Sequence, residues 1–267
     1  MSKSGAGLWG ASNAYEHYMG RWSRQIAPLF LEWLKVPPDT ECLDIGCGTG
    51  VLSSAIIANC APRLVVGIDP SEAFVETARS QVDDQRFECK QGNGEALPYD
   101  DNEFKMAVSG LVLNFVGDKS KAAAEMVRVV RPGGTVALYV WDYAGHMQIM
   151  RYFFDAATEL DAEASKFDDG VNAPICRPAP LSNLFKEAGL EDIEVKAIDI
   201  PTAFENFDDY WTPFLGGTGS APKYCTSLSP DAQNELKEKL RNRLPTGPDG
   251  EILLAVRAWA IKGTVAE

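Results

Sequence analysis

The chain has 267 residues, 45% of them hydrophobic and 24% charged, and 25 basic against 38 acidic residues leave a formal net charge of −13. This length and apolar content predict a folded protein with a sizeable core. Because nucleic-acid binding depends on Lys and Arg at the phosphates, the acidic balance argues against a nucleic-acid partner. No apolar run is as long as the roughly 20 residues of a membrane span, and the N-terminus has no signal-peptide pattern. We therefore expect a cytoplasmic protein without a membrane partner.

The cysteines show no spacing typical of a metal site or a disulfide framework. They are Cys42, Cys47, Cys60, Cys89, Cys176 and Cys225. With two histidines in the whole chain, a zinc site is not expected, so we predict no metal and reduced thiols.

The first periodic pattern is an apolar stripe at helical spacing over residues 26–34, which predicts an amphipathic helix. Ser23 is the expected N-cap, and Pro37 with Pro38 ends the helix. Proline is tolerated in a first turn but not deeper, so Pro28 predicts that the helix begins late or is kinked.

Short apolar strands then alternate with helices. The predicted strands are Glu41–Ile45, Leu64–Ile68, Arg86–Lys90, Phe104–Ser109, Thr135–Trp141, Ile193–Ile200 and Ile252–Ile261. The predicted helices between them are Val51–Asn59, Ser71–Gln81 and Lys119–Val130. Such alternation is typical of an α/β fold with a doubly wound, mostly parallel sheet and helices on both faces. We expect seven strands, the last of them inserted antiparallel.

Two stretches interrupt this alternation, residues 142–180 and 204–245, which are helix-like and rich in aromatic and acidic residues. We interpret them as a lid on one domain that spans residues 1–267. The other parts are an N-terminal cover segment (1–36), a core (37–141) and C-terminal sheet elements (181–203 and 250–263). The acidic excess falls mainly between Asp155 and Asp209. It indicates either solvated surfaces or a rim that favours a neutral or cationic ligand.

The strongest motif is the run LDIGCGTG at residues 43–50, where a predicted strand leads through three glycines into a helix. Glycines let the backbone approach a ligand, and the helix N-terminus offers unpaired N–H groups. Asp69 ends the next strand, where a carboxylate can accept from both ribose hydroxyls. Together these features predict a nucleotide-binding site. A dinucleotide-binding loop would have a third glycine at Val51, which argues against NAD.

The loop resembles the first motif of class I S-adenosylmethionine-dependent methyltransferases, in the branch that includes quinone-biosynthesis enzymes. Later segments resemble further family motifs in order: residues 67–71, 92–99, 109–114 and 131–134. The resemblance implies a Rossmann-like methyltransferase fold and S-adenosylmethionine as cofactor, with S-adenosylhomocysteine as product. Asn93 stands where the family usually has Asp, and its carbonyl can still accept from the adenine amino group.

The resemblance also implies which residues bind the cofactor. Asp44 would hold the methionine amino group, Asp69 the ribose, and the segment from Asn93 to Glu95 the adenine. The full set implied by these motifs is Asp44, Gly46, Cys47, Gly48, Gly50, Asp69, Pro70, Ser71, Asn93, Gly94, Glu95, Ser109 and Leu111.

In similar enzymes a segment before the first helix folds over the cofactor. Here that segment contains Tyr18, which would lie near the sulfonium, and Arg21, which would pair with the methionine carboxylate. The alternative for both side chains is core packing or a loose arm.

The resemblance predicts methyl transfer to a small-molecule acceptor by in-line displacement. His146 follows the fifth strand and is the best-placed candidate for a general base, although a solvent-facing histidine is the alternative. The segment SGLVLN lacks the NPPY or DPPY of DNA and protein-amide methyltransferases, which favours a small acceptor. The rival functions are an NAD-dependent oxidoreductase and a non-catalytic S-adenosylmethionine-binding protein. No pattern in the chain indicates an oligomeric state.

Overall fold

A seven-stranded β-sheet organises the protein in the computed structural model, which describes residues 20–216 and 219–267. The strands are β1 (Glu41–Ile45), β2 (Leu64–Asp69), β3 (Phe87–Gln91), β4 (Phe104–Gly110), β5 (Val130–Trp141), β6 (Leu190–Phe204) and β7 (Ile252–Val265). Their order is β3-β2-β1-β4-β5-β7-β6, and β7 pairs antiparallel with both β5 and β6. The predicted seven-stranded, mostly parallel sheet with an inserted antiparallel strand is therefore confirmed.

The helices of eight or more residues flank this sheet or form the two insertions. They are α1 (Arg21–Leu34), α2 (Val51–Cys60), α3 (Glu72–Gln81), α4 (Lys119–Val129), α5 (Gln148–Leu160), α7 (Pro178–Glu187), α9 (Ser220–Ser227) and α10 (Pro230–Arg243). Two short helices are α6 (Asp169–Asn172) and α8 (Phe207–Trp211). Helix α1 packs on α2, β6 and β7, while α4 packs against α7. Strands β1 and β2 are buried almost throughout, as expected for parallel strands covered on both faces.

Helix α1 begins earlier than its sequence predicts. It starts at Arg21 and contains Pro28, so the expected late start is wrong. Ser23 lies inside the helix, where its hydroxyl donates to the Gly20 carbonyl at 3.0 Å, and Gly20 is the N-cap. Pro28 is exposed, on the side where water can replace the hydrogen bond that proline cannot donate. Leu29 from the predicted stripe is likewise exposed.

Strand β5 is longer than the apolar run that predicted it. It pairs with β4 from Val130 opposite Phe104, and the register then shifts before Thr135 pairs with Met106. Gly133 lies within this irregular stretch with a φ of 72°. The turn signals of residues 131–134 thus produce an irregular start to the strand instead of a turn before it.

The aromatic side chains of the insertions pack mainly on one another. Phe153 and Phe214 are fully buried and stack with their ring centroids 4.5 Å apart. Tyr210 lies 5.2 Å from Phe214, and its hydroxyl donates to the Ile149 carbonyl at 2.9 Å. These rings therefore form a core of the insertions themselves, so their presence alone indicates no aromatic ligand.

The acidic excess lies mostly in solvated and paired positions. Among the acidic residues from Asp155 to Asp209, Asp168 is the buried one, and Arg151 pairs with it at 2.6 Å. Asp199 pairs with Arg257 on β7, and Glu159 pairs with Arg243 on α10. This supports the interpretation as solvated surfaces, so the excess gives no reason to expect a cationic acceptor. Within residues 20–216 and 219–267, no helix is long and apolar enough to span a membrane.

Candidate functional site

The glycine loop leaves the carboxyl end of β1 in a conformation that depends on glycine. Gly46, Gly48 and Gly50 have φ values of 73°, 54° and 87°, in a backbone region that residues with a Cβ rarely adopt. The N–H groups of Gly46 and Cys47 both donate to the Ile68 carbonyl, at 2.7 and 3.1 Å. The loop is therefore held against the end of β2, and helix α2 begins directly after Gly50.

Asp44 is the buried acid of this loop, with 1% of its surface exposed. Ser53, one turn into α2, donates to its Oδ2 at 2.7 Å. Its Oδ1 is buried and has no hydrogen-bond partner among the described residues. Burial raises the pKa of Asp44 to about 7, because the desolvation of the carboxylate outweighs the hydrogen bond from Ser53. A buried oxygen without a partner fits a site whose ligand carries a cationic hydrogen-bond donor.

Asp69 connects the glycine loop to the next helix. Its Oδ2 accepts from the Gly48 N–H at 3.0 Å and its Oδ1 from the Ser71 N–H at 2.8 Å. Burial raises the pKa of Asp69 above its ordinary value, and these two hydrogen bonds oppose that shift. Each carboxylate oxygen has a second lone pair, so the side chain keeps two acceptor positions for a ligand.

The residues around Asp69 also hold neighbouring elements in place. Ser71 is the N-cap of α3, and its hydroxyl accepts from the Phe74 N–H at 3.4 Å. The Pro70 carbonyl accepts from the Gln91 side chain at 2.9 Å. The ends of β2 and β3 are thereby tied together.

Two further predicted segments reach the glycine loop. A Cβ on Gly46 would lie 2.6 Å from the Val112 methyl groups, and one on Gly94 would lie 3.0 Å from Ile45. The Ser109 hydroxyl donates to the Ile45 carbonyl at 2.7 Å. The segments that follow β3 and β4 therefore meet the loop at the carboxyl edge of the sheet, where ligands bind in open α/β sheets.

Leu111 lies in this exit from β4 with a φ of 62°, in the left-handed region that favours glycine. Its N–H donates to the Tyr139 carbonyl on β5 at 2.8 Å. The chain therefore turns sharply as it leaves β4.

Asn93 and Glu95 make contacts that the sequence does not predict. The Asn93 side-chain oxygen accepts from the Glu95 N–H at 2.9 Å. Glu95 Oε1 in turn accepts from the N–H groups of Gly117 and Asp118, at 3.0 and 3.2 Å. Since Asp118 is the N-cap of α4, Glu95 links the β3–β4 connection to the start of that helix. Their predicted contacts with adenine stay a prediction.

Arg21 pairs with the second insertion. Its Nη1 lies 3.3 Å from Asp209 Oδ1, and its guanidinium lies over the rings of Trp22 and Phe204, at 4.2 and 4.7 Å. Its Nε is buried and has no hydrogen-bond partner within the described ranges. The pairing of Arg21 with the cofactor carboxylate stays a prediction, and Tyr18 lies outside the described residues.

His146 lies on the antiparallel side of the sheet. It is exposed, and its Nδ1 is 3.5 Å from Nη1 of Arg257 on β7. Its backbone N–H donates at 2.9 Å to Asp142, which is buried. Arg257 is also bound bidentately by Asp199 on β6. The contact with Arg257 places the imidazole beside β7. None of these contacts tests a role as a general base, which stays a prediction.

Three residues of this region are not among the predicted site residues. Ser53 supports Asp44, Val112 packs against Gly46, and the Cys89 thiol on β3 lies 3.5 Å from the Cys47 thiol. Ser53 could have been found, because it is a small polar residue one turn after a glycine loop. Nothing in the local pattern of Cys89 or Val112 indicates these contacts, because both depend on how the strands pair.

Comparisons with known proteins agree with this geometry. A family profile described as a methyltransferase domain matches residues 43–138. Demethylmenaquinone methyltransferase of Bacillus cereus (strain AH187) is 28% identical over 177 residues, which cover 61% of this chain and 75% of the relative.

Two solved structures share the fold. The complex between the Haloferax volcanii Trm112 methyltransferase activator and a putative methyltransferase has 18% identity and a TM-score of 0.62, with full coverage of both chains. Haemonchus contortus phosphoethanolamine N-methyltransferase 2, in complex with S-adenosyl-L-methionine, has 16% identity and a TM-score of 0.60. That match covers 96% of this chain and 56% of the other. At these identities the two structures support the fold and nothing more specific.

Proposed function

We propose that the chain is a class I S-adenosylmethionine-dependent methyltransferase, which transfers a methyl group from S-adenosylmethionine to a small-molecule acceptor. The match of residues 43–138 to a methyltransferase domain and the similarity to demethylmenaquinone methyltransferase support this proposal. The observation that carries the proposal is the buried Oδ1 of Asp44, which has no partner in the described part of the chain and lies beside a loop of three glycines with positive φ. The methionine end of this cofactor carries an ammonium group, which can donate to such an oxygen.

The residues around the loop fit the rest of the cofactor. Asp69 keeps two acceptor positions for ribose hydroxyls after its bonds to Gly48 and Ser71. A Cβ on Gly48 would meet no atom of residues 20–216 and 219–267 within 4 Å, so these residues leave space for a ligand at that glycine. The segment from Asn93 to Glu95 lies at the same edge of the sheet and would border the adenine.

When bound, S-adenosylmethionine supplies an electrophilic methyl group on a sulfonium, from which a nucleophile can take it. The contribution of the protein is alignment and the exclusion of water, since such a displacement needs no covalent intermediate on the enzyme. Asp44 and Asp69 would fix the methionine end and the ribose of the cofactor, and the exit from β4 at Ser109 and Leu111 would face its reactive part. His146 would act as the general base for an acceptor that must lose a proton.

The acceptor would bind between the carboxyl edge of the sheet and the two insertions, residues 142–180 and 204–245, which would act as a lid. The demethylmenaquinone methyltransferase relatives make an aromatic ring acceptor the first class to test. Arg21 and Asp209 join the start of α1 to the second insertion, so this ion pair lies where a lid would meet the N-terminal cover.

The experiment has a binding stage and a turnover stage. We expect S-adenosylhomocysteine to raise the melting temperature of the protein and NADH to leave it unchanged. We then expect transfer of radiolabelled methyl groups from S-adenosylmethionine to at least one member of a panel of demethylated quinols, phenols, amines and thiols.

Each rival has its own outcome in this experiment. Stabilisation by NADH alone would favour an NAD-dependent oxidoreductase. Stabilisation by S-adenosylhomocysteine without transfer to any class in the panel would favour a non-catalytic binding protein. The control is Asp44→Asn, which should lose both the stabilisation and the transfer.

A further inference from the structure

Two thiols meet beside the glycine loop. Cys47, within the loop, and Cys89, on β3, have their sulfur atoms 3.5 Å apart, and neither forms a disulfide. They come from distant positions in the sequence and meet because β3 pairs in parallel with β2, with Cys89 opposite Gly67.

Gly67 provides the space in which the two sulfurs meet. A Cβ at this position would lie 2.9 Å from the Cys47 sulfur and 3.2 Å from the Cys89 sulfur. No side chain therefore separates the thiols. A disulfide has a sulfur–sulfur distance of about 2.05 Å, so bond formation requires an approach of roughly 1.5 Å.

The surroundings give the two thiols different reactivity. Cys47 is buried, whereas Cys89 is half-buried. The hydrogen bond from Cys47 lowers the pKa of the Cys89 thiol, and the Arg79 guanidinium acts in the same direction. The same hydrogen bond, together with burial, raises the pKa of Cys47. Because thiolates react with oxidants and thiols do not, Cys89 is the residue that an oxidant attacks first.

We propose that Cys47 and Cys89 are a redox modification site, which hydrogen peroxide converts into a reversible disulfide. The Cys89 thiolate attacks one peroxide oxygen, the O–O bond breaks, and with one proton the products are a sulfenic acid and water. The Cys47 sulfur then attacks the Cys89 sulfur, the S–O bond breaks, and the hydroxyl leaves as a second water with the Cys47 proton. Both sulfurs are oxidised and one peroxide is reduced.

The disulfide has a direct consequence for the glycine loop. The Cys47 N–H is bound to the Ile68 carbonyl, and the next residue, Gly48, donates to Asp69. Movement of the Cys47 sulfur toward Cys89 pulls on the backbone that positions both contacts. The disulfide therefore weakens binding of the cofactor, a consequence that rests on the proposed function.

The chemical part is tested without any ligand. The 267-residue chain is treated with hydrogen peroxide, and its free thiols, intact mass and tryptic peptides are measured. We expect free thiols to fall by two from six, the mass to fall by two hydrogen atoms, and one peptide pair to link Cys47 to Cys89. Dithiothreitol should reverse all three changes. Oxidation to other pairs, or to sulfinic acid without this link, would overturn the proposal.

The functional part compares S-adenosylhomocysteine affinity before and after oxidation. We expect a loss of about tenfold in the wild type, restored by dithiothreitol. Cys89→Ser should bind like the reduced wild type and resist the oxidant, while Cys60→Ser, a change at another half-buried cysteine, should behave as the wild type. Equal affinity of linked and reduced protein would overturn the effect on binding. No binding by the reduced wild type would instead overturn the proposed function and leave the disulfide result standing.

Discussion

The carboxyl edge of β1 and β2 and the two helical insertions use buried groups in opposite ways. At the edge, the glycines have positive φ and two carboxylates are buried, and their acceptor positions, including Asp44 Oδ1, are not all filled by the described residues. In the insertions, buried rings such as Phe153 and Phe214 pack against one another. Unfilled polar positions cost stability and are kept where a ligand fills them, whereas packed rings contribute stability.

This difference predicts that substitutions in the two regions change different measured quantities. Substitutions at the edge should change ligand affinity more than stability, and substitutions in the insertion core should change stability more than affinity. A region whose substitutions lower ligand affinity and stability equally would contradict this separation of roles.

The largest effect is expected from Phe153→Ala. Removal of this fully buried ring leaves a cavity and should lower the free energy of unfolding by about 3–5 kcal/mol. Urea unfolding followed by circular dichroism measures this change, and Phe153→Leu serves as the control that keeps most of the apolar volume. S-adenosylhomocysteine affinity of the folded variant should stay within about threefold of the wild type. A tenfold loss of affinity would show that this core shapes the cofactor site.

Asp44→Asn should lower ligand affinity and leave stability intact, in contrast to Phe153→Ala. The amide keeps the size of the side chain but loses the charge, so S-adenosylhomocysteine affinity measured by calorimetry should fall by about 100-fold, or roughly 3 kcal/mol. The variant should melt no lower than the wild type at pH 8, because an ionised carboxylate is no longer buried there. Affinity within threefold of the wild type would contradict the role of Asp44 in binding the ammonium.

The pH dependence of the wild type tests the same carboxylate. Its pKa of about 7 means that most of Asp44 is protonated at pH 6 and ionised at pH 8. Since the ionised form binds a cation better, S-adenosylhomocysteine affinity should fall by up to about tenfold from pH 8 to pH 6. Asp44→Asn should show a flat profile over this range, and an equal slope in both proteins would assign the effect to another group.

The stability contribution of Asp44 in the ligand-free protein should fall as the pH rises, whereas the ligand affinity should rise. Burial raises the folded-state pKa of Asp44 above the ordinary value of 3.8, so the folded protein retains this proton to a higher pH than the unfolded chain. The contribution of Asp44 to stability is therefore fully present below about pH 4 and is lost as pH rises through about 7. Melting temperatures of wild type and Asp44→Asn should diverge over this window, to the advantage of the variant at high pH.

The smallest effect is expected from Arg21→Ala compared with Asp209→Ala. Both partners are about one-third exposed, at 35% and 32%, so loss of their ion pair should cost under about 1 kcal/mol of stability in either variant. If Arg21 also reaches the cofactor carboxylate, Arg21→Ala alone should lower S-adenosylhomocysteine affinity, by about threefold. Equal affinities in the two variants would limit Arg21 to holding the second insertion.

Much of the fold could be predicted because its signals are local. Strand β1 and helix α4 were placed within one residue of their observed bounds, since short apolar runs and N-cap residues mark them directly. The start of helix α1 differs from its prediction, because the tolerance of a helix for proline depends on the surroundings of that residue. Pro28 is exposed, so the helix tolerates it near its middle.

The candidate site was less predictable. The motifs predict that Asp44, Asp69 and the glycine loop lie together at one edge of the sheet, and the structure has them there. They did not indicate that Glu95 would bind the start of α4, or that His146 would lie against Arg257. Those contacts depend on neighbours that arrive from other parts of the chain.

Residue type and spacing within a few positions are enough to predict the alternation of strands and helices along the chain, the glycine loop, and the acids at or near the ends of β1 and β2. The contacts between distant groups are not predictable in this way. Ser53 bonds to one oxygen of Asp44 while the other has no described partner, the thiols of Cys47 and Cys89 meet over Gly67, and Arg21 pairs with Asp209. These meetings depend on strand register and helix packing. A shift of one residue in the pairing of β2 with β3 would turn Cys89 to the other face of the sheet.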